Sequence, residues 1–235
     1  EGGLKEKIFN KAFDVGLKVD RLKREGKPVP ALLNIQYGLF DKLVFSKIRE
    51  RFGGRVRFFI SGAAALNREV AEWFNAAGIQ ILEGYGLTET SAGSFVNRPD
   101  DYQFGSVGFV FPGSEVKIAE DGEVLIKGPG VMDGYHNLPE ETHASLTDDG
   151  WLRTGDKGQI DAEGKLKITG RVKDLFKTSK GKYVAPAPIE DRLVMHATVE
   201  ACVVTGANLG QPLGIAMLNL DGITKAKSAD GRKEI

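Results

Sequence analysis

The segment between residues 55 and 90 constrains the fold most, because two short, mainly apolar runs in it flank a stretch of helical length. Residues 56–60 predict a strand that runs into the loop SGAAAL, and residues 79–82 predict a second strand. Between them, Asn67 is a suitable N-cap for a helix through Ala77, which Gly78 closes. A strand, a helix and a strand of these lengths indicate an α/β unit with a parallel sheet.

Apolar residues at helical spacing predict two further helices upstream of this unit. The first runs from Leu4 to about residue 23 and is broken by the sequence GKPVP. The second runs from Leu39 to Arg51 and ends at Gly53-Gly54. Both helices are expected to pack against the α/β unit.

Beyond residue 100 the sequence changes to short β-like runs separated by glycines. Asp121-Gly122 lies between two such runs and predicts a hairpin, and residues 162–164 predict another. Residues 139–144 predict one or two helical turns within this β-rich part. From Val172 onward the pattern is mixed. The elements expected there are a helix at 188–196 and strands at 201–205 and 215–220.

The charges and the single cysteine limit the classes of partner and compartment. The 32 basic and 32 acidic residues cancel, so no overall field attracts the chain to nucleic acid. No run approaches the roughly 20 apolar residues of a membrane span, and the start lacks the apolar core of a signal peptide. Cys202 cannot form an internal disulfide and is expected in the core. A cytoplasmic location is predicted, with peripheral membrane contact left open.

Two loops at the ends of the predicted parallel strands are the first candidates for ligand binding. Ligands of open parallel sheets bind at the carboxyl ends of strands, where residues 61–65 and 84–90 would both lie. The second stretch, GYGLTET, combines an aromatic ring, hydroxyls and a carboxylate, which suits a purine, a phosphate and Mg²⁺. The alternative is a plain turn with Tyr85 packed beneath it. The residues alone leave both interpretations open.

Asp156 and Arg171 are further candidates. An acidic side chain can accept hydrogen bonds from two ribose hydroxyls, and the forked donors of arginine can reach a phosphate or a ribose oxygen. Each also has an ordinary interpretation, since Gly-Asp pairs are common in turns and Arg171 could pair with a surface carboxylate. The sequence contains no GxxxxGK[ST] loop, no dinucleotide fingerprint and no nucleophile elbow. The spacing of its histidines argues against zinc.

Four segments, taken in this order, resemble the adenylate-forming (AMP-binding) superfamily. They are SGAAAL at 61–66, EGYGLTET at 83–90, WLRTGD at 151–156 and GRVKDLFKTSKGKYVAPAPIE at 170–190. The last is most similar to long-chain fatty acyl-CoA synthetases. The resemblance implies an α/β fold: a partial N-terminal adenylation domain, with a parallel-sheet unit (1–104) and a small β-barrel subdomain (105–172), then the start of an α+β C-terminal lid domain (173–235).

The resemblance also implies a two-step reaction. A fatty acid carboxylate attacks the α-phosphate of ATP to give an acyl-adenylate and pyrophosphate, and the thiolate of coenzyme A then displaces AMP. The implied cofactors are ATP or AMP, Mg²⁺ and coenzyme A, and the implied substrate is a long-chain fatty acid.

Roles for residues of the two loops follow from the match. Gly62 and Ala63 would line the adenine pocket, and Tyr85 would stack near the purine. Gly86, the next residue, would also contact the nucleotide. The implied catalytic residues stand three and four positions after Tyr85. Thr88 would hydrogen-bond the α-phosphate and Glu89 would bind Mg²⁺.

Further roles follow for residues of the later segments. Asp156 would hold the ribose hydroxyls, and Arg171 would lie on the ribose or phosphate side of the nucleotide. Lys173 occupies the hinge of the lid, where many relatives have aspartate. Gly181 lies in a loop on the lid face that meets coenzyme A.

Two parts of the family's machinery are not found in these 235 residues. They are the Ser/Thr/Gly-rich loop that grips the β- and γ-phosphates and the lysine of the lid that drives adenylation. The chain is therefore expected to be an internal or C-terminal fragment without ligase activity of its own. Without the partner layers of the large domain, apolar surface of the α/β part is expected to be exposed and to favour self-association. The alternatives are a fatty acyl-AMP ligase that serves a carrier protein and a non-catalytic nucleotide-binding module.

Overall fold

The computed structural model describes residues 3–233. Helices and strands are mixed along these residues, which confirms the α/β class. The chain divides into two compact units. The first contains the residues up to Gly113 together with Ala162–Leu166, and the second contains Ser114–Asp161 and the residues from Lys167 onward. The division into three parts that the resemblance implies stays a prediction.

The first unit begins with helices. Helix α1 spans Leu4–Arg24, as the apolar spacing predicts. The second prediction is wrong at its start, because the helical run begins at Ala31, directly after Pro30. It comprises α2 (Ala31–Phe40), a π-helical segment (Asp41–Phe45) and α3 (Ser46–Arg51).

Aromatic packing between these helices and α4 (Arg68–Ala76) forms a core. The ring of Phe13 on α1 stacks on Trp73 of α4, with centroids 4.2 Å apart and planes at 9°. Phe45, which is fully buried, meets Phe13 edge to face at 5.2 Å. Such burial of large rings supplies much of the hydrophobic stabilisation of a small unit.

The parallel α/β unit is present. Strand β1 (Phe59–Ser61) pairs in parallel with β2 (Ile81–Tyr85), and α4 connects them. Asn67 caps α4, because its side-chain oxygen accepts the backbone N–H groups of Glu69 and Val70 at 2.8 and 3.2 Å. Strands β3 (Phe95–Val96) and β4 (Phe109–Val110) extend the same sheet antiparallel.

The second unit contains most of an antiparallel sheet in the order β5-β6-β7-β8. These strands are Glu115–Ile118, Glu123–Lys127, Leu152–Ile160 and Leu166–Arg171, and α5 (Pro139–Ser145) precedes β7. The hairpin predicted at Asp121-Gly122 joins β5 to β6. The hairpin predicted at 162–164 joins β7 to β8.

Two smaller sheets follow. Strands β9 (Phe176–Lys177) and β10 (Tyr183–Val184) form one hairpin, and β11 (Val199–Thr205) and β12 (Leu213–Leu218) form another. Helix α6 is Pro186–Leu193, so the helix expected at 188–196 begins earlier and ends before Val194. Helix α7 spans Leu220–Ala226. Among the described helices, none has both the length and the apolar composition to cross a membrane.

Candidate functional site

Two loops leave the carboxyl ends of β1 and β2: the first loop is residues 62–67 and the second loop is residues 86–93. The second loop is built around Thr90, which is 2% exposed. The Thr90 hydroxyl accepts the backbone N–H of Leu87 at 3.0 Å and donates to the Leu87 carbonyl at 3.1 Å. The backbone N–H of Ser94 then donates to the Tyr85 carbonyl at 2.9 Å, which closes the base of the loop.

Backbone strain is concentrated in these two loops. Ala63, Ser91 and Ala92 all have positive φ, at 68°, 56° and 78°. Residues other than glycine rarely adopt this conformation, and it is found most often at sites where the surrounding structure imposes it. Gly86 is required by close approach, because a Cβ there would overlap the carbonyl oxygen of Ala92.

The second-loop residues that are predicted to bind the nucleotide lie close to Thr90 in the sequence. Thr88 is exposed, Glu89 is half-buried, and both belong to a single 3-10 turn, Thr88–Thr90. Tyr85 is half-buried, and its ring lies 6.1 Å from the ring of Phe95 at an angle of 54°. The packing interpretation of Tyr85 is therefore correct for one part of its surface, and the nucleotide interpretation stays a prediction.

The first loop lies close to the start of the second. A Cβ on Gly62 would stand 3.4 Å from the carbonyl oxygen of Gly84, so a side chain there would touch β2. The backbone N–H of Leu66 donates to Oε1 of Glu83 at 2.9 Å. Glu83 is 8% exposed, and burial raises the pKa of its carboxyl, an effect that the Leu66 hydrogen bond opposes.

Asp156 and Arg171 lie together within the second unit. Nε of Arg171 stands 3.4 Å from Oδ1 of Asp156, on neighbouring strands β8 and β7. Asp156 is buried, and Arg171 is largely exposed. The backbone beside Asp156 is fixed by Glu123, whose carboxylate accepts the N–H of Gly155 at 2.9 Å. Arg171 thus pairs with the buried carboxylate of Asp156 and not with the surface carboxylate of its ordinary interpretation, and most of its side chain remains open to solvent.

Lys173 and Gly181 lie in turns between strands of the second unit. Lys173 is exposed in the turn between β8 and β9. Gly181 has φ +80° in the turn between β9 and β10, and its N–H donates to the Thr178 carbonyl at 2.9 Å. A positive φ at this position explains the glycine on structural grounds alone.

Sequence reasoning missed three residues of the first unit that support the loops. Glu83 and Thr90 flank the named positions within the EGYGLTET segment, and both are buried. Ser94 is also buried, and among the described residues its hydroxyl oxygen is the buried side-chain atom without a hydrogen-bond partner. Buried polar groups of this kind are costly and need a specific reason to be retained. The signal that could have found them is that residues 83–94 are mostly small or polar although they begin inside an apolar strand.

The fold and the loops agree with what the chain is similar to. The family model described as "AMP-binding enzyme" matches residues 24–136. A long-chain-fatty-acid–CoA ligase of Mycobacterium bovis is 40% identical over 190 residues, which cover 81% of this chain. The chain belongs to the AMP-binding enzyme family.

Other relatives of this AMP-binding chain have the same kind of name. The human long-chain-fatty-acid–CoA ligase 1 is 39% identical over 183 residues, covering 73% of this chain and 26% of the human enzyme. The chain also spans only 31% of the M. bovis ligase, so it corresponds to about a third or less of these two relatives.

A solved structure supports the fold of this AMP-binding chain. The o-succinylbenzoate CoA synthetase of Bacillus subtilis, in complex with its acyl-adenylate intermediate OSB-AMP, aligns with a TM-score of 0.68 and 28% identity. The alignment covers 81% of this chain and 42% of the synthetase.

Proposed function

We propose that this chain is part of an ATP-dependent long-chain fatty acid–CoA ligase. Such an enzyme converts a fatty acid and ATP into an acyl-adenylate and pyrophosphate, and then transfers the acyl group to coenzyme A with release of AMP. The observation that carries the proposal is the second loop. It leaves a parallel strand, is strained and supported by a buried threonine, and has Thr88 and Glu89 on its 3-10 turn.

In the first unit we assign the adenine and phosphate contacts. Gly62 and Ala63 line the adenine side, Tyr85 offers a ring to the purine, and the Thr88 hydroxyl donates to an oxygen of the α-phosphate. The absence of a Cβ at Gly86 lets the loop backbone approach closely. The 3-10 turn holds the backbone of Thr88, and a donor on a preorganised backbone needs less reorganisation when charge develops at a phosphate.

Glu89 is assigned as the carboxylate for Mg²⁺. Within residues 3–233, no three His, Cys, Asp or Glu side chains are grouped so that they could hold a metal ion. This fits magnesium, which is usually held by one or two carboxylates together with substrate phosphates and waters. When bound, the ion supplies charge neutralisation at the phosphate oxygens.

In the second unit we assign the ribose contact to Asp156. Its carboxylate accepts hydrogen bonds from the ribose hydroxyls, and Arg171 holds the carboxylate in place and reaches toward the ribose or phosphate. The 3.4 Å separation of Arg171 and Asp156 supports a shared role. The support of Gly155 by Glu123 keeps the Asp156 backbone fixed.

The remaining assignments concern the lid, which we propose begins at about residue 173. Lys173 is the hinge, and its exposed turn between two strands can absorb backbone rotation. The Gly181 turn is assigned to the side of the lid that meets coenzyme A.

The test of the Mg²⁺ assignment is the binding of ATP with and without the ion. We expect Mg²⁺ to strengthen ATP binding to the natural chain, and Glu89→Gln to remove this gain while AMP binding persists. The control is Glu50→Gln, which changes an exposed carboxylate on α3. Equal gains from Mg²⁺ in the natural chain and in Glu89→Gln would refute the assignment.

We also propose that the 235-residue chain alone does not turn over, because the phosphate loop and the lid lysine of the family are not among its residues. Pyrophosphate release is measured with ATP, Mg²⁺ and palmitate. Steady release above the buffer rate would contradict this proposal, and it would also favour a ligase whose catalytic groups are arranged differently.

A cytoplasmic location with peripheral membrane contact belongs to the same proposal. The membrane contact is supported by an apolar groove of about 790 Å³ in the first unit, whose lining includes Lys5, Lys47 and Arg51 and no acidic residue. Basic residues around apolar surface suit an anionic bilayer. We expect the chain to sediment with vesicles that contain phosphatidylserine and not with pure phosphatidylcholine, and equal sedimentation would contradict the expectation.

Self-association is proposed from an apolar face of the second unit. Val203 pairs in register with Ile215, and Ala201 pairs with Met217, on strands β11 and β12. Val203, Ile215 and Met217 are 58%, 66% and 54% exposed. Exposed apolar patches favour association. Sedimentation equilibrium should show dimers or larger species that Ile215→Lys reduces, and a monomer at all concentrations would contradict this.

A further inference from the structure

Glu83 is an acidic residue inside a strand of the parallel sheet. It lies on β2 opposite Ser61, where the pairing with β1 ends. It is 8% exposed, and acidic side chains are rarely so buried without a specific partner. Its partner is the backbone N–H of Leu66, which donates to Oε1 at 2.9 Å.

This hydrogen bond holds the first loop after the loop has left the sheet. Within the first loop, residues 62–67, no strand pairing fixes the backbone, and Ala63 adopts the left-handed conformation with φ 68°. Leu66 is the residue directly before Asn67, the N-cap of α4. Glu83 therefore fastens the first loop at its far end, next to a capped helix.

Glu83 is itself held from the opposite edge of β2, where β3 pairs. Its carbonyl oxygen accepts the backbone N–H of Asn97 at 3.0 Å and the side-chain amide of Asn97 at 3.3 Å. One residue later, β2 continues into Gly84 and Tyr85, from which the second loop departs. A single residue thus connects the first loop to the strand that carries the second.

Retaining a carboxylate at this position has a cost. Burial raises the pKa of Glu83, which means that the folded protein disfavours the charged form. Costs of this kind are concentrated at functional sites, where stability is sacrificed for a particular arrangement.

We propose that Glu83 is a positioning residue of the nucleotide site: its side-chain oxygen sets the first loop in the conformation that receives the adenine. The inference rests on the proposed function, which assigns Gly62 and Ala63 to the adenine side. It requires an acceptor atom at the distance of Oε1 and does not require a negative charge.

The experiment compares two conservative variants by titration calorimetry of the 235-residue chain. The probe is an acyl-sulfamoyl adenosine, a non-hydrolysable analogue of an acyl-adenylate. Glu83→Gln keeps an acceptor oxygen at the same reach, and we expect its affinity to stay within about twofold of the natural chain. Glu83→Asp keeps the charge but withdraws the oxygen by one methylene, and we expect about tenfold weaker binding, the order of one lost ordering hydrogen bond.

The control is Glu50→Gln, which should bind the analogue as the natural chain does. Aspartate binding as tightly as glutamate, or glutamine as weakly as aspartate, would overturn the positioning role and leave the nucleotide site intact. Failure of the natural chain to bind the analogue would overturn both the positioning role and the proposed nucleotide site.

If Glu83→Asp does not fold, a second measurement tests the positioning role of Glu83. Hydrogen exchange of the Leu66 amide is followed by NMR in the natural chain and in Glu83→Gln, with and without the analogue. We expect a protected Leu66 amide in both proteins and greater protection when the analogue is bound. A Leu66 amide that exchanges as fast as an open loop, or protection that does not change on binding, would overturn the inference.

Discussion

Thr90 and Leu87 exchange two hydrogen bonds through one hydroxyl group, which accepts the Leu87 N–H at 3.0 Å and donates to the Leu87 carbonyl at 3.1 Å. Thr90→Val keeps the shape of the side chain and removes both bonds inside a buried site. We expect a loss of about 1–3 kcal/mol in the free energy of unfolding, because two backbone groups lose their partner. Urea denaturation measures the loss. Thr90→Ser should recover most of it, and a Thr90→Val protein as stable as the natural chain would contradict this role.

Gly86 is needed for space, because a Cβ there would meet the backbone of Ala92. Gly86→Ala should therefore destabilise the chain or displace the second loop, with a cost of about 1–3 kcal/mol typical of overpacking. The matched control is Gly38→Ala on α2, where nothing lies within 4 Å of the added Cβ. That change should stabilise by about 0.5–1 kcal/mol. Equal melting shifts for the two variants would contradict the steric explanation.

The stability of the chain should depend on the ionisation of Glu83. Burial raises the pKa of its carboxyl above the usual 4.5, so the folded state favours the protonated form. The contribution of Glu83 is therefore fully present below about pH 4.5 and is lost as the pH rises through the raised pKa. Glu83→Gln, which does not titrate, should gain stability relative to the natural chain between pH 4.5 and 7. A difference in unfolding free energy that stays constant over this range would contradict the assignment.

The N-cap of α4 offers a fourth prediction. Asn67 accepts two backbone N–H groups, from Glu69 and Val70. Asn67→Ala should lower the free energy of unfolding by about 1 kcal/mol, the usual value of a lost cap. Asn67→Asp retains an acceptor and should cost little. The two variants are compared by thermal unfolding, and identical losses would show that the cap is not the source of stability.

The sequence predicted the elements whose signals are local. Asn67 was recognised as a cap and Asp121-Gly122 as a hairpin, because each depends on a few neighbouring residues. The ends of β1 were not predictable. Residues 56–60 are apolar except for Arg57, yet only Phe59–Ser61 is a strand, because these residues find partners on β2. Strand ends are set by the partner, which lies 20 or so positions away in the chain.

The residues of the candidate site also differ in whether their signal in the sequence is local or depends on a distant partner. Tyr85, Thr88 and Glu89 are predicted as site residues because their residue types suggest a chemistry within one short segment. Glu83 and Leu66 are 17 positions apart, and their hydrogen bond depends on the path of the first loop. No spacing rule describes such a path. The support of a site is therefore harder to predict from sequence than the groups it supports.

If this chain carries residues that bind an adenylate, as we propose, Asp156 is the residue whose replacement tests it most directly. Calorimetric titration of AMP compares the natural chain with Asp156→Ala, and with Asp148→Ala as an exposed control. Saturable binding of one AMP that persists in Asp148→Ala and is abolished in Asp156→Ala is the predicted result. AMP binding that is unchanged in Asp156→Ala, or no binding by the natural chain, would contradict the claim.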